Sequence, residues 1–479
     1  MSERVDLLVV GGGTAGLPAA AEAAEQGLDV LLVEKADRLG GTLWRSWAQM
    51  AAAGTGLQRT RGIRDTPDLH YDDVMRISRG TADPDLVRLA VDHAAETVDR
   101  LMSAGFDMDP DAPAVLYFHE PYSVARTYWG REAGKSVLDV LLPRVRGLAD
   151  RGRIRVRTRT ALTGLRGGGG PSVEAAVLRD AAGAVEEVEA GAVVLTTGGY
   201  AGNPGLFPLL TGGAPLRGPA AETSAGDGIL AALSLGARLR GSDMFLPTYG
   251  GTLRAGSDWE TAHLDDFPQL TPQERPPWEI HVNRSGLRFV AEDDASVDVR
   301  EHALARQRGV EFWVVYDQRA VEEAPPLFPS WGEADLERAF TGNPSFTRAD
   351  DLDSLAEAAG IDPQGLRLTV REYNRAVAGG GDPLGRTHLP APLERGPFYA
   401  VRNHGTVLKS PAGLAVDGRL RVLGDDGRPF TNLYAAGEAL GGSSMSGRSF
   451  VSGMSVTPAL SFGRLIGRAA AGEDQHWRP

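Results

Sequence analysis

The sequence predicts an α/β protein of the Rossmann-like kind, with a second unit inserted into the first. Three observations predict it. Residues Leu7 to Glu34 read, in order, as strand, tight glycine turn, helix, strand and acid. Two later apolar runs, Ala192 to Gly199 and Asn432 to Glu438, also end in glycine turns. Between about 243 and 397 the texture changes: prolines multiply (Pro268, Pro272, Pro276, Pro277, Pro325, Pro326, Pro329) and aromatics stand in loops. The expected division is therefore 1–242 with 398–479 as one domain and 243–397 as the other.

The first unit justifies itself residue by residue. Gly11 allows the tight turn, Gly13 lets backbone approach a pyrophosphate, and Gly16 lets helix and strand pack closely. Thr14 and Ala15 complete that turn, and the helix N-terminus behind it presents unpaired N–H groups and a positive dipole end to a phosphate. Glu34 is placed to hydrogen-bond a ribose hydroxyl and to disfavour a 2'-phosphate there, with Lys35 following it. On its own this unit does not separate FAD from NAD.

After it, Leu39-Gly40-Gly41-Thr42 leads through Ser46, Ala48 and Gln49 into an Ala/Gly run. Small residues there let backbone lie against a flat ring system, or form a small-residue packing surface. Helical patterns cover about 83–104 and 134–150, and Ile154 to Thr160 alternates like a strand. Gly167 to Gly170 is followed by Pro-Ser rather than by a helix start, so it reads as a hairpin tip and not as a second nucleotide site. Gly198 and Gly199 close a buried strand. Asp227, in Ser224-Ala-Gly-Asp-Gly228, is either a helix-start charge or a cofactor contact. A final helix begins near Thr457, with Pro458 where its missing N–H is not needed.

Composition narrows the class. At 479 residues and 42% hydrophobic content the chain has enough material for more than one core. A net charge of −13 argues against nucleic acid or an anionic membrane surface as the partner. No apolar stretch reaches about 18 residues, so no membrane span is expected, and the first strand starts almost at once, so the expected compartment is the cytoplasm. There is no cysteine, which excludes disulfides, thiolate-held clusters and a redox-active cysteine pair. The nine histidines are scattered without metal-ligand spacing, so no metal is expected.

Several segments together resemble the flavoprotein family of fumarate reductases, succinate dehydrogenase flavoprotein subunits and 3-ketosteroid delta-1-dehydrogenases. They are the N-terminal unit, Gly198-Gly199, Ala225-Gly-Asp-Gly228, Val282 to Glu292 (VNRSGLRFVAE), Asp353 to Asn374, and Tyr434 to Arg464. The resemblance implies non-covalently held FAD, a Rossmann-like FAD-binding domain and an inserted α+β capping domain. It also implies hydride transfer at flavin N5 on a small-molecule substrate, with an electron donor or acceptor and an oligomeric state that the sequence leaves unknown. Gly437 and Glu438 fall in the FAD-binding part, and a helix starting near Ser455-Val456 would aim its N-terminus at the flavin.

For catalysis, the resemblance places Arg448 where fumarate reductases grip a substrate carboxylate, a structural salt bridge being the alternative, and Lys409 about where they carry a histidine. The departures are as informative. Glu292 leads into Asp293-Asp-Ala-Ser296 rather than into an arginine relay, and Arg319 is out of register as the acid. Ser296 and Phe450 occupy positions where the steroid enzymes have tyrosines. The proton-handling group is then sought among Tyr117, His119 and Tyr122, in Leu116 to Ser123, with Tyr249 as a weaker candidate or a hinge residue. The expectation is an oxidoreductase acting on a carbon–carbon bond alpha,beta to a carbonyl, by desaturation of a ketone or reduction of an enone. The alternatives are a reductase of an unsaturated carboxylate and a flavin-binding sensor without turnover.

Overall fold

The computed structural model describes residues 3–117, 119–167, 170–218, 221 and 223–472. Gly168 and Gly169 of the expected hairpin tip, and Phe118 of the 116–123 loop, lie outside the described residues.

The larger sheet has eight strands. Glu3–Val10 lies between Val30–Val33 and Val185–Leu195, all parallel; Ile154–Arg157 extends one side and Pro429–Ala435 the other. Leu7, Leu8, Val9 and Val10 are all buried, as expected of a parallel strand covered on both faces. The antiparallel strands Ala161–Gly167 and Val173–Arg179 join the same sheet through Val185–Leu195.

Helix Gly16–Glu25 follows the glycine turn and packs against the last helix, Val456–Ala470. That contact is backbone-close. A Cβ on Gly463 would stand 2.1 Å from the Ala15 carbonyl oxygen and one on Gly467 2.5 Å from that of Ala19, so larger side chains at either position would push the helices apart.

The second sheet has four antiparallel strands in the order Ile280–Val282, Glu311–Asp317, Phe398–His404, Phe346–Ala349. Its alternation splits two cores. Trp313, Val315 and Ala400 face one cluster, covered by helices Leu352–Ala359 and Pro363–Arg375; Phe312, Val314 and Val401 face the other, with Leu304, Phe328 and Ala339. The sequence reading ended this unit at 397. Pairing with Glu311–Asp317 instead puts Phe398–His404 in the second sheet.

The chain enters and leaves this unit side by side. Thr248 N–H donates to the Thr406 carbonyl at 2.8 Å, and Thr406 N–H returns to Thr248 at 3.2 Å. Among the described residues, no helix is long and apolar enough to cross a membrane and no group of acids and histidines is arranged to hold a metal ion.

Candidate active site

Parallel strands carry their carboxyl ends to one edge. Val10 is level with Val33 and with Leu195, and Leu195 with Ala435. Gly11 to Gly16, Glu34-Lys35, Thr196 to Gly199 and Gly437-Glu438 are thereby gathered from four distant parts of the chain, at the crevice where open α/β sheets bind ligands.

The glycines there are required by contact. Gly11 has φ of +102°, and a Cβ on Gly16 would lie 1.9 Å from the Gly11 carbonyl oxygen. At Gly13 the nearest atom to a Cβ is Gly41 Cα, 3.9 Å away, leaving open space before the helix start where Thr14 and Ala15 also sit. Gly40 N–H donates to the Gly12 carbonyl at 2.8 Å, which fixes the Gly40-Gly41-Thr42 segment over the turn. The Glu34 carboxylate accepts the Gly12 N–H through Oε2 and the Ala36 N–H through Oε1, both at 2.9 Å. Each oxygen retains acceptor capacity for a hydroxyl.

Farther along this edge, Ser46 Oγ accepts the Ala48 N–H at 2.9 Å and Ala48 takes φ of +47°. Gln49 then leads into Met50-Ala51, whose backbone lies against the C-terminal segment: a Cβ on Gly453 would stand 2.4 Å from Ala51 N, and Ala51 N–H donates to Thr457 Oγ1. The final helix starts here at Val456, after Ser455, with no side chain capping it. Its first N–H groups lack helical partners and present a positive dipole end. Gly198 has φ of +76°, Gly437 packs against Ala15, and a Cβ on Gly199 would strike Ser410 Oγ and Glu438 Oε1.

Asp227 begins helix Asp227–Leu233, and its carboxylate takes the Lys35 ammonium at 2.7 Å. The four-glycine run supplies no nucleotide turn within its described residues, where Gly167 simply ends a strand. Open glycine-lined space, two helix N-terminal ends and a ribose-directed carboxylate together match what a dinucleotide with a flat ring end needs.

A cleft adjoins this edge, lined by segments 244–248, 408–411 and 442–450 and by Glu301. The two are linked through neighbouring residues: Ser410 N–H donates to Glu438 Oε1 at 2.7 Å, while Lys409 lines the cleft. Burial pushes the Glu438 carboxyl up, against its hydrogen bonds with Ser410. Glu301, Thr248, Ser449 and Phe450 are the other polar and aromatic walls that matter.

Lys409 Nζ donates to Ser446 Oγ at 2.9 Å and lies 4.4 Å from the centre of the Phe450 ring. Burial lowers its pKa to about 8, although Glu438 and Glu301 oppose the shift. His119 stacks on Phe450, ring centres 3.6 Å apart, with Nδ1 3.9 Å from Glu301 Oε1. Burial, aided by Lys409, brings His119 down to about 3, so it is neutral. Glu301 is 2% exposed, and burial followed by repulsion from Asp298 raises its carboxyl well above the usual range. The cleft thus sets the Lys409 cation beside a carboxyl that burial disfavours as a carboxylate, with the neutral His119 imidazole behind Phe450.

Of the sequence candidates, only Lys409 lines the cleft, and His119 packs behind it on Phe450. Arg448 does not: its guanidinium pairs with the Asp243 carboxylate and donates to the Asp243 carbonyl at 2.7 Å, with the side chain 45% exposed. Tyr117 is 52% exposed. Tyr122 is buried with its hydroxyl donating to the Ser452 carbonyl at 2.5 Å, so it ties down the C-terminal loop. Tyr249 lies inside the second unit, 2.7 Å from His281 Nδ1 and stacked on Phe312. Its neighbours Thr248 and Gly250 sit at the crossing, in keeping with a hinge position. Trp331 stacks on Phe328, and neither it, Trp259 nor Trp278 lines the cleft.

The expected departures also have a structural form. Glu292 is buried among Arg288, at 2.8 Å, and Arg386, at 3.1 Å; burial opposes its ionisation, but the two arginines prevail and bring it to about 2. It is a knot within the second unit. Arg319 lies near Glu323, and Ser296 caps helix Val297–Ala305 and donates to Glu120 at 2.8 Å. Sequence reasoning missed Glu301 and Ser446. Glu301 stands one helical turn beyond the Asp293 to Ser296 departure, an acid on a helix whose neighbours on every side include charge, so no stripe marked it as buried.

A model of the FAD binding domain matches residues 6–456. A probable fumarate reductase, Ifc3, of Shewanella frigidimarina (strain NCIMB 400) is 28% identical over 98% of this chain and 75% of its own. Among solved structures, the open conformation of a flavocytochrome c3 fumarate reductase superposes with a TM-score of 0.72 at 27% identity, covering 100% of this chain and 79% of that one. The 3-ketosteroid delta1-dehydrogenase from Sterolibacterium denitrificans gives 0.75 at 21% identity, covering 99% and 100%, a likeness of fold.

Proposed function

Because this chain belongs to the FAD binding domain family, we propose that it is an FAD-dependent oxidoreductase acting on the carbon–carbon bond alpha,beta to a carbonyl, with the junction cleft as its substrate site. The observation that carries this reading is the meeting of Lys409 and Glu301 in one cleft beside the glycine-lined edge, with His119 packed behind its Phe450 wall. Gly11, Gly13, Gly16, Thr14 and Ala15 would hold the pyrophosphate, Glu34 a ribose, and the Ala48 to Ala53 backbone with the start of helix Val456–Ala470 the ring end. Bound FAD supplies the two-electron chemistry, giving or taking a hydride.

The chain's own groups do the rest. The Lys409 ammonium holds the carbonyl oxygen and stabilises charge that develops there, the kind of fixed electrostatic aid that counts most in a water-poor site. The Phe450 ring gives the cleft an apolar floor, and the stacked His119 keeps that floor in place as a neutral group. Since Lys409 is charged below about 8, substrate binding is strong there and weakens as pH rises through that value.

The test is anaerobic mixing with a panel of compounds. Saturated ketones should bleach the oxidised flavin, or enones should reoxidise the dithionite-reduced protein. If neither set, nor any unsaturated acid, changes the flavin spectrum faster than buffer does, the reading is wrong. A second reading, reduction of an unsaturated carboxylate, is favoured by the fumarate reductase relative and by Lys409, whose charge also suits a carboxylate.

A further inference from the structure

We propose that Glu301 carries the proton exchanged with the substrate alpha carbon, and that Asp298 and His302 connect it to solvent along one face of helix Val297–Ala305. This deepens the reading of the cleft given above and rests on it.

Three geometric facts support the assignment. Glu301 lines the cleft, and its Oε1 has no hydrogen-bond partner among the described residues. Asp298 stands one turn before Glu301, at the i,i+3 spacing, and one turn before His302, at i,i+4, so it lies between the two. Asp298 Oδ1 is 3.5 Å from His302 Nε2, its other oxygen pairs with Arg79, and the Arg79 side chain is half exposed. His302, whose side chain is partly exposed, also bonds to the backbone of Arg448.

The charged surroundings pull in both directions. On the same helix, Asp298 repels a Glu301 carboxylate while Arg300 favours it; Lys409 favours it from across the cleft, and the Tyr249 backbone N–H supports it. The imidazole of His119 is near and neutral, and Arg79 and Arg306 hold His302 below its usual pKa after burial has lowered it. Burial decides the balance and raises the Glu301 carboxyl well above the usual carboxylate range.

The step balances. In reduction, the Glu301 O–H bond breaks with its electron pair kept by the carboxylate, and the enolate pair of the substrate forms the new Cα–H bond. Reduced FAD is the two-electron partner at the beta carbon. Asp298 and His302 then return a proton to Glu301. In desaturation, the carboxylate form takes the Cα proton and passes it outward.

The pH sense follows. Reduction needs protonated Glu301 and is lost as pH rises through its folded pKa; desaturation is gained over the same rise.

Infrared difference spectra of the FAD-loaded wild type should show a protonated carboxyl band that shifts in heavy water and is missing from E301Q. With the best ketone or enone, E301Q should lose about 10²- to 10⁴-fold in kcat with KM nearly unchanged, the usual worth of a positioned acid or base. H302Q should keep the band and flatten the pH profile of kcat. A band that persists in E301Q, or kcat within about threefold of wild type, overturns the assignment. Should E301Q fail to fold, H302Q decides alone, since an unchanged pH profile overturns the relay. If the wild type turns over no compound, the functional reading falls, while the infrared band still tests Glu301.

Discussion

The nucleotide-facing edge and the junction cleft sit next to each other but are built in opposite ways. The edge is mostly backbone: Gly11, Gly16 and Gly199 matter because no Cβ fits, and Glu34 is fixed by two N–H donors. The cleft and its backing are mostly side chain: Lys409, His119, Glu301 and Phe450 come from four segments, and burial shifts the three ionisable ones away from their ordinary states. The edge therefore has little freedom to vary, whereas the cleft can change its chemistry while the same cofactor stays bound.

Substitutions test that contrast. The largest effect is expected from Gly16→Val, which forces a side chain into the Gly11 carbonyl; the purified protein should be colourless or unfolded, a loss above about 3 kcal/mol. A yellow, folded variant would break the account of the edge. Lys409→Met should retain flavin but lose about 10²- to 10³-fold in kcat/KM, the scale of a removed charge-stabilising donor. Its residual activity should also lack the decline through a pH of about 8.

Glu34→Ala comes next. It leaves the Gly12 and Ala36 N–H groups without their acceptor and should weaken FAD binding by about 1–3 kcal/mol, measured by titrating the apoprotein. Smallest is Arg448→Ala: a half-exposed pair is worth about 0–1 kcal/mol, so thermal stability and turnover of uncharged ketones should barely move. A severe rise in KM for unsaturated acids alone would instead favour the carboxylate reading and bring Arg448 into the site.

The same contrast explains what was legible in the sequence. Backbone requirements leave local signatures, so the glycine turn, Glu34 and the helices were readable: the patterns at 83–104 and 134–150 match Pro84–Ser103 and Gly134–Asp150. Strand Ile154–Arg157 stops short of the expected Thr160 because Arg159 takes φ of +52° and the chain turns to bond Ala36 and Glu34. Phe398–His404 alternates in a way that suits either sheet, and only its pairing with Glu311–Asp317 decides which. Arg448 and Lys409 belong to motif positions of one kind, yet one side chain meets Asp243 and the other enters the cleft. Such choices depend on partners far away in sequence, and so does the burial that makes Glu301 an acid.

The paired crossing at Thr248 and Thr406 has a consequence for how such a protein can diversify. Because the inserted unit begins and ends at hydrogen-bonded neighbours, its excursion of more than 150 residues adds no open loop for the base to close, the closure being supplied by the unit's own sheet. The insertion has the anatomy of a cassette. A short turn joining those two positions would leave the glycine-lined edge intact, and a differently shaped unit grafted there would inherit the cofactor grip while bringing its own specificity.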